Sequence, residues 1–162
     1  VAGGMRDYFS DMVCPPVLII EPGSALVADA MKYVMRVVEI KKVRNKWIAT
    51  LAGSSYQVNP SVKGMNRPIS VYYGEKNTDR AIYDDLDMAG YTCIEADYLY
   101  KNYNGRLAKG DFVVLGNIGS YSLVMKPPFI LPDIPVVELN EDGRDDLVKR
   151  AQTEEDIFIY YK

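Results

Sequence analysis

The chain has two cysteines and no histidine. Any proton transfer it performs must therefore use cysteine, carboxylate, lysine, tyrosine or water. Ser-His and Cys-His catalysis within the chain is excluded, and so are zinc sites built on histidine. Cys93 has the more suggestive setting of the two thiols. It lies in Gly90-Tyr91-Thr92-Cys93-Ile94-Glu95-Ala96-Asp97-Tyr98-Leu99, with acidic residues just behind it and an apolar run beyond. A thiol with a pKa near about 8.5 is protonated at neutral pH yet exchanges its proton readily, which suits a general acid. The same residue type also serves as a small buried hydrophobe. Cys14 has no comparable context and reads as structural.

Two further stretches can do chemistry. Glu21-Pro22-Gly23 places a carboxylate at the end of an apolar run and ahead of a turn. Such a Glu can hold a protonated ring nitrogen, and such a Gly lets backbone N–H groups come close to a phosphate. A Glu that merely caps a turn is the competing reading. Residues 116–122, GNIGSYS, offer glycines for close backbone approach and the Tyr121 hydroxyl beside two serines. They can bind an anion or form a plain hairpin loop with a packed tyrosine.

The elements that must position these residues are mostly strands. Residues 17–23, VLIIEPG, read as a strand buried on both faces, of the kind found in parallel sheets and α/β barrels, with Glu21 at its carboxyl end. A short helix is allowed near 24–31. Residues 33–43 and 47–53 form a long hairpin about a turn at 44–46. Pro60, Gly64 and Pro68 mark a loop, 69–73 a short strand, and 75–80 a polar turn. A strand is expected over 98–103 and a turn at Asn104-Gly105. FVVL at 112–115 reads as a buried strand ahead of the glycine-rich loop. The Pro-broken run 126–139 predicts irregular or edge strands. An Asp start and late Lys/Arg predict a helix near 143–151. Residues 1–16 read as an irregular lead-in.

With 162 residues and a net charge of −3, the chain suits one globular domain with no general attraction to nucleic acid or anionic membrane. No apolar run approaches the roughly 20 residues that cross a bilayer. Cysteine usage fits a reducing cytoplasm. The expected fold is mainly β, a barrel- or sandwich-like domain with one or two short helices. Residues 1–22 are then a lead-in with the last strand of a separate barrel, and residues 23–162 are the β-domain itself.

The order of the motifs is more specific than any one of them. E-P-G, then G-x-T-C with an acid behind it, then K-G-D-F-V-V-L, then G-S-Y-S resembles the C-terminal domain of the pyridoxal-phosphate-dependent decarboxylases. These enzymes act on diaminopimelate, ornithine and related amino acids and have the alanine-racemase-like fold. The resemblance runs from about Val17 to the C-terminus. It implies a parent with an α/β barrel followed by this β-domain. It implies pyridoxal phosphate as cofactor, held mainly by the barrel, an amino acid as substrate, and a homodimer as partner arrangement. Carried over by position, Glu21 pairs with the cofactor's ring nitrogen. Gly23 and Tyr121 contact its phosphate. Cys93 protonates the substrate carbon from the neighbouring subunit.

The chain departs from the family pattern at three places. Ser24 replaces an arginine that contacts phosphate or substrate. Ile94 replaces the acid that recognises the substrate's far end, with Glu95 displaced by one position. Tyr91 replaces a proline. The first two changes predict a specialised relative rather than a standard diaminopimelate or ornithine enzyme. None of the lysines stands in the context of the family's cofactor lysine, so the chain alone is expected to be inactive. The alternative is a catalytically dead relative serving as an interaction or dimerisation module.

Overall fold

The structure is a computed structural model that describes residues 1–58, 65–76, 79–126 and 129–161. Pro60 and Gly64 of the expected loop lie outside these residues, as do Asn77 and Thr78 of the polar turn. Six strands form one nearly closed, barrel-like sheet. They are β1 (Tyr33–Val43), β2 (Lys46–Leu51), β3 (Ile69–Tyr72), β4 (Ala81–Ala89), β5 (Tyr98–Leu107) and β6 (Phe112–Leu115), in the spatial order β3-β6-β1-β2-β4-β5. A separate hairpin joins β7 (Val136–Leu139) to β8 (Asp145–Lys149). The helices are short: α1 (Ala2–Tyr8), α2 (Ser24–Val27) with a 3-10 turn behind it at Ala28–Ala30, and α3 (Glu154–Phe158).

Alternation drives the sheet. Tyr33, Met35 and Val37 on β1 point inward while Val34 and Val38 stay exposed, a period of two that only a strand can use. β1 is long enough to serve two partners. Its first half pairs with β6 and its second half with β2, with a register shift between Val37 and Glu39 where it turns from one to the other. Met35, Leu51, Leu86, Met88 and Leu107 fill the interior and are fully buried. Each contributes roughly 1.5–3 kcal/mol over an exposed placement.

The registers decide which loops meet. β2 and β4 run parallel, with Thr50 opposite Ala89, so the chain leaves both at the same end of the sheet. Tyr33 at the start of β1 is opposite Leu115 at the end of β6, and Tyr98 at the start of β5 is opposite Ala89. One end therefore collects residues 24–32, 52–57, 90–97 and 116–122. The other end collects the loops around Gly74, Arg80 and Asp111.

The expected mainly-β fold is what forms, and the hairpin of β1 and β2, the short helix at 24–27 and the FVVL strand all stand where the sequence put them. Five elements differ. Residues 17–23 form no strand. Val17, Ile19 and Ile20 are exposed, because a central parallel strand takes its hydrogen bonds from flanking strands and no described residue pairs with them. Residues 143–151 are not a helix. Gly143 adopts a positive φ of 82°, and Asn140 and Arg144 close a hairpin turn that sends β8 back along β7. The helix comes later, where Thr153 and Asp156 cap each other at the start of α3. Asn104-Gly105 makes no turn but lies inside β5. A left-handed Asn102 and register shifts against β4 absorb the irregularity there. Residues 81–89, where the sequence carries no strand expectation, are a full strand. The lead-in at 1–16 contains α1.

Candidate functional site

Cys93 is exposed on the loop between β4 and β5, and one buried carboxylate organises that loop. Asp97 is 2% exposed. Its Oδ2 accepts hydrogen bonds from Ser54 Oγ at 2.9 Å, Thr92 Oγ1 at 2.6 Å and Thr92 N–H at 3.3 Å. Its Oδ1 accepts from the N–H and the hydroxyl of Ser55, both at 2.8 Å. No cation stands within ion-pair distance among the described residues, so neutral donors alone hold this charge. Two backbone bonds close the loop's base, from Gly90 N–H to the Asp97 carbonyl at 2.8 Å and from Asp97 N–H to the Ile94 carbonyl at 3.0 Å. Gly90 is required here, because a Cβ at that position would come 2.1 Å from Asp97 Oδ2. Tyr91 N–H donates to the Gly53 carbonyl at 3.1 Å, which ties the loop to the segment leaving β2.

The segment leaving β2 is fixed in turn. Tyr33 Oη accepts from Ser54 N–H at 3.2 Å and donates to Gln57 Oε1. Burial pushes the Tyr33 hydroxyl's pKa well above its usual value. The Tyr91 hydroxyl is buried with no hydrogen-bond partner among the described residues. Burial raises its pKa, and the negative charges of Asp97 and Asp133 raise it further.

The second cluster joins the two stretches expected to face a phosphate. Gly119 N–H donates to the Ala28 carbonyl at 2.8 Å, and a Cβ on Gly119 would stand 1.9 Å from the Val27 carbonyl oxygen. Glycine at 119 thus lets residues 116–122 lie flat against the segment that follows Ser24. Tyr121 has a positive φ of 62° and is 46% exposed. Ser120 and Ser122 beneath it are buried. Glu21, Gly23 and Ser24 are exposed, Gly23 has a φ of 48°, and no atom lies within 4 Å of where its Cβ would be.

The structure thus brings Ser24 and Tyr121 onto joined backbone and anchors Cys93 separately, on the 53–55 side of the same end. Ile94 is half-buried, and its N–H leans on Thr92 Oγ1 at 3.4 Å. Glu95 lines an open groove of about 300 Å³ with Met65, Tyr98, Tyr100 and Lys101. The Lys101 ammonium lies 4.5 Å from the centre of the Tyr98 ring.

A family model described as the pyridoxal-dependent decarboxylase, C-terminal sheet domain, matches residues 8–119. The chain belongs to this family. The diaminopimelate decarboxylase of Methanothermobacter thermautotrophicus is 27% identical over 159 residues, which is 97% of this chain and 36% of the relative. That of Escherichia coli K12 is 25% identical over 88% of this chain and 36% of its own length. This decarboxylase sheet domain therefore spans about a third of the length of the curated relatives it matches. Its fold is similar to that of the Helicobacter pylori diaminopimelate decarboxylase mutant solved with L-lysine, with a TM-score of 0.76 at 20% identity over 98% of this chain and 38% of that one. It is also similar to the Campylobacter jejuni carboxynorspermidine decarboxylase solved with norspermidine. The TM-score there is 0.68 at 21% identity over 86% of this chain and 41% of that one.

Sequence reasoning missed the part of the sheet domain that holds Cys93 in place. Asp97 stood in the quoted stretch, four positions after the thiol, but its donors Ser54 and Ser55 lie about 40 residues upstream and carry no local signal. The signal that was available is Gly90 together with Thr92 and Asp97, a glycine and a hydroxyl bracketing an acid around the cysteine. Asp111 of K-G-D is likewise structural. It pairs with Arg80 at 2.8 Å and accepts from the N–H groups of Gly74 and Ala108.

Proposed function

We propose that the protein to which this sheet domain belongs is a pyridoxal-phosphate-dependent amino acid decarboxylase, and that Cys93 is the acid that protonates the substrate carbon after carbon dioxide leaves. The observation that carries the reading is the Cys93 loop itself, an exposed thiol on a short loop whose buried carboxylate, Asp97, accepts five hydrogen bonds, two from Thr92 within the loop and three from Ser54 and Ser55 beside it. A structural cysteine needs no such support and is normally buried.

The residues at this end suit the cofactor. The open backbone at Gly23 admits a phosphate, and the Gly119–Ala28 bond brings Tyr121 to the same segment as Ser24. When bound, the cofactor supplies an electron-withdrawing ring that accepts the electrons of the broken carbon–carboxylate bond. In this reading Glu21 holds the proton on the ring nitrogen. Gly23 N–H, Ser24 Oγ and the Tyr121 hydroxyl donate to phosphate oxygens, and the preceding barrel supplies the other contacts. Cys93 Sγ gives its proton to the substrate's α-carbon from the second subunit of a homodimer, so each site draws on two chains. This chain alone carries no activity, since none of its lysines stands in the context of the cofactor lysine.

Ile94 and Glu95 set the substrate's far end. An apolar side chain where the family has an acid removes a partner for a distal ammonium, and Ser24 removes a positive charge beside the phosphate. The substrate is accordingly an amino acid other than meso-diaminopimelate.

The test uses the longer protein. Borohydride in the presence of pyridoxal phosphate should add the cofactor's mass covalently. Carbon dioxide release is then measured across a panel of amino acids. Cys93→Ala should lower kcat by about 10²-fold or more while leaving cofactor capture intact. Failure to capture the cofactor would sink the enzyme reading. Wild-type turnover by Cys93→Ala would remove Cys93 from the mechanism. Equal or better turnover of meso-diaminopimelate would defeat the specialised-substrate reading alone.

A further inference from the structure

The same end of the sheet carries a cleft of about 240 Å³, lined in part by Tyr56, Gln57, Lys126, Phe129, Asp133 and Lys149. Its acceptors are already engaged. Asp133 Oδ1 takes Lys126 Nζ at 2.6 Å and Ile134 N–H at 2.9 Å, and Oδ2 takes Lys149 Nζ. Gln152, also on the wall, accepts Asp133 N–H through Oε1 at 3.1 Å. Gln57 accepts the Tyr33 hydroxyl through its own Oε1. Both amide orientations are fixed by their partners. A backbone N–H must face the Gln152 oxygen. The Tyr33 hydroxyl already accepts from Ser54, so its proton must go to Gln57.

What is left over on the walls is donors. Lys126 carries three N–H bonds and uses one among the described residues, although its side chain is only 9% exposed. Both glutamine NH₂ groups are unused among the described contacts. Two ammonium groups against one carboxylate leave a net charge of +1. Burial works against the Asp133 charge, yet the two lysines hold its pKa below the usual carboxylate range, so this carboxylate stays ionised at neutral pH. Beside these donors stand Leu123, Phe129 and Leu131, which are apolar.

We propose that this cleft is a binding site for a small monoanionic carboxylate with an apolar body. The carboxylate meets Lys126 and Lys149 as a charge-assisted acceptor, and the apolar body lies on Phe129 and Leu131. The volume is below the roughly 300–1,000 Å³ of sites for drug-sized ligands, so the ligand is small.

Titration calorimetry and NMR on the 162-residue chain test it, with benzoate, its neutral isostere benzamide, and inorganic phosphate as probes. Benzoate should bind with a Kd on the order of 1 mM, at least tenfold tighter than either of the others. Lys149→Met should weaken benzoate at least tenfold, with Asp133 still paired to Lys126. Leu131→Trp, which fills the cleft without touching the charges, should abolish binding. Absence of benzoate binding overturns the proposal. Equal binding of benzamide overturns the charge argument, and equal binding of phosphate overturns the apolar one. Unchanged benzoate affinity in a folded Leu131→Trp chain places the ligand elsewhere and overturns the site.

Discussion

The two ends of the barrel-like sheet each bury an aspartate, and the two are held in opposite ways. Asp111, 1% exposed, is gripped by the Arg80 guanidinium and by two backbone N–H groups. Asp97, 2% exposed, is gripped by three hydroxyls and two N–H groups, with no cation among the described residues. The Asp111 end is a clamp that joins the loops around β3, β4, β5 and β6 by charge. The Asp97 end arranges the backbone of a loop that presents Cys93. Removing one partner of a buried charge pair is costly because it strands the other charge, whereas removing a member of a lattice of neutral hydrogen bonds costs less and mainly loosens geometry.

The largest stability effect should come from the clamp. Asp111→Asn removes the carboxylate that the buried Arg80 guanidinium grips and should lower unfolding stability by about 3–5 kcal/mol in urea denaturation. A loss below about 1 kcal/mol would erase the distinction between the two ends. The clamp should also govern the acid limb. Burial alone would raise the Asp111 pKa, but Arg80 and the N–H groups of Gly74 and Ala108 prevail and hold it below the usual carboxylate range. Its contribution is therefore complete above the unfolded value of about 3.9 and is lost as pH falls through the lower folded value. Stability measured against pH should fall less steeply in the Asp111→Asn chain than in the wild type over that acid window.

Asp97→Asn should cost less, about 2 kcal/mol, yet move what the clamp variant does not. With Cys14 replaced by Ser, alkylation of the remaining thiol should change severalfold in rate relative to wild type. In the longer protein, kcat should fall while KM holds. An alkylation rate identical to wild type would reduce Asp97 to a plain core residue. The smallest global effect belongs to Gly119→Ala, whose Cβ would meet the Val27 carbonyl. Residues 24–30 should exchange amide hydrogens faster, with the midpoint for core unfolding shifted little. Unchanged protection there would break the proposed link between Tyr121 and Ser24.

The candidate site was legible in part, for a physical reason. Cys93, Glu21 and Tyr121 stand out because residue type and motif order are properties of the chain itself. The support of Cys93 does not stand out, because Ser54 and Asp97 are 43 residues apart and meet only through the parallel pairing of β2 with β4. Local chemistry also misled at two glycines. Gly143 heads the segment whose composition predicts a helix and instead closes the β7–β8 hairpin. Asn104-Gly105 predicts a turn and instead sits in a bulged strand, because β4 runs long enough opposite it to continue the ladder.

By itself the sequence determined the strand character of β1, β2 and β6, through a period of two that no other element can bury. It also determined the family, through the order of short motifs. Only the tertiary structure decided which loops share an end of the sheet. It left 17–23 without a strand partner, surrounded Asp97 with neutral donors, and lined one cleft with unused ones. Those outcomes depend on register between distant strands, and register is set by the packing of the whole interior, which no local window of residues contains.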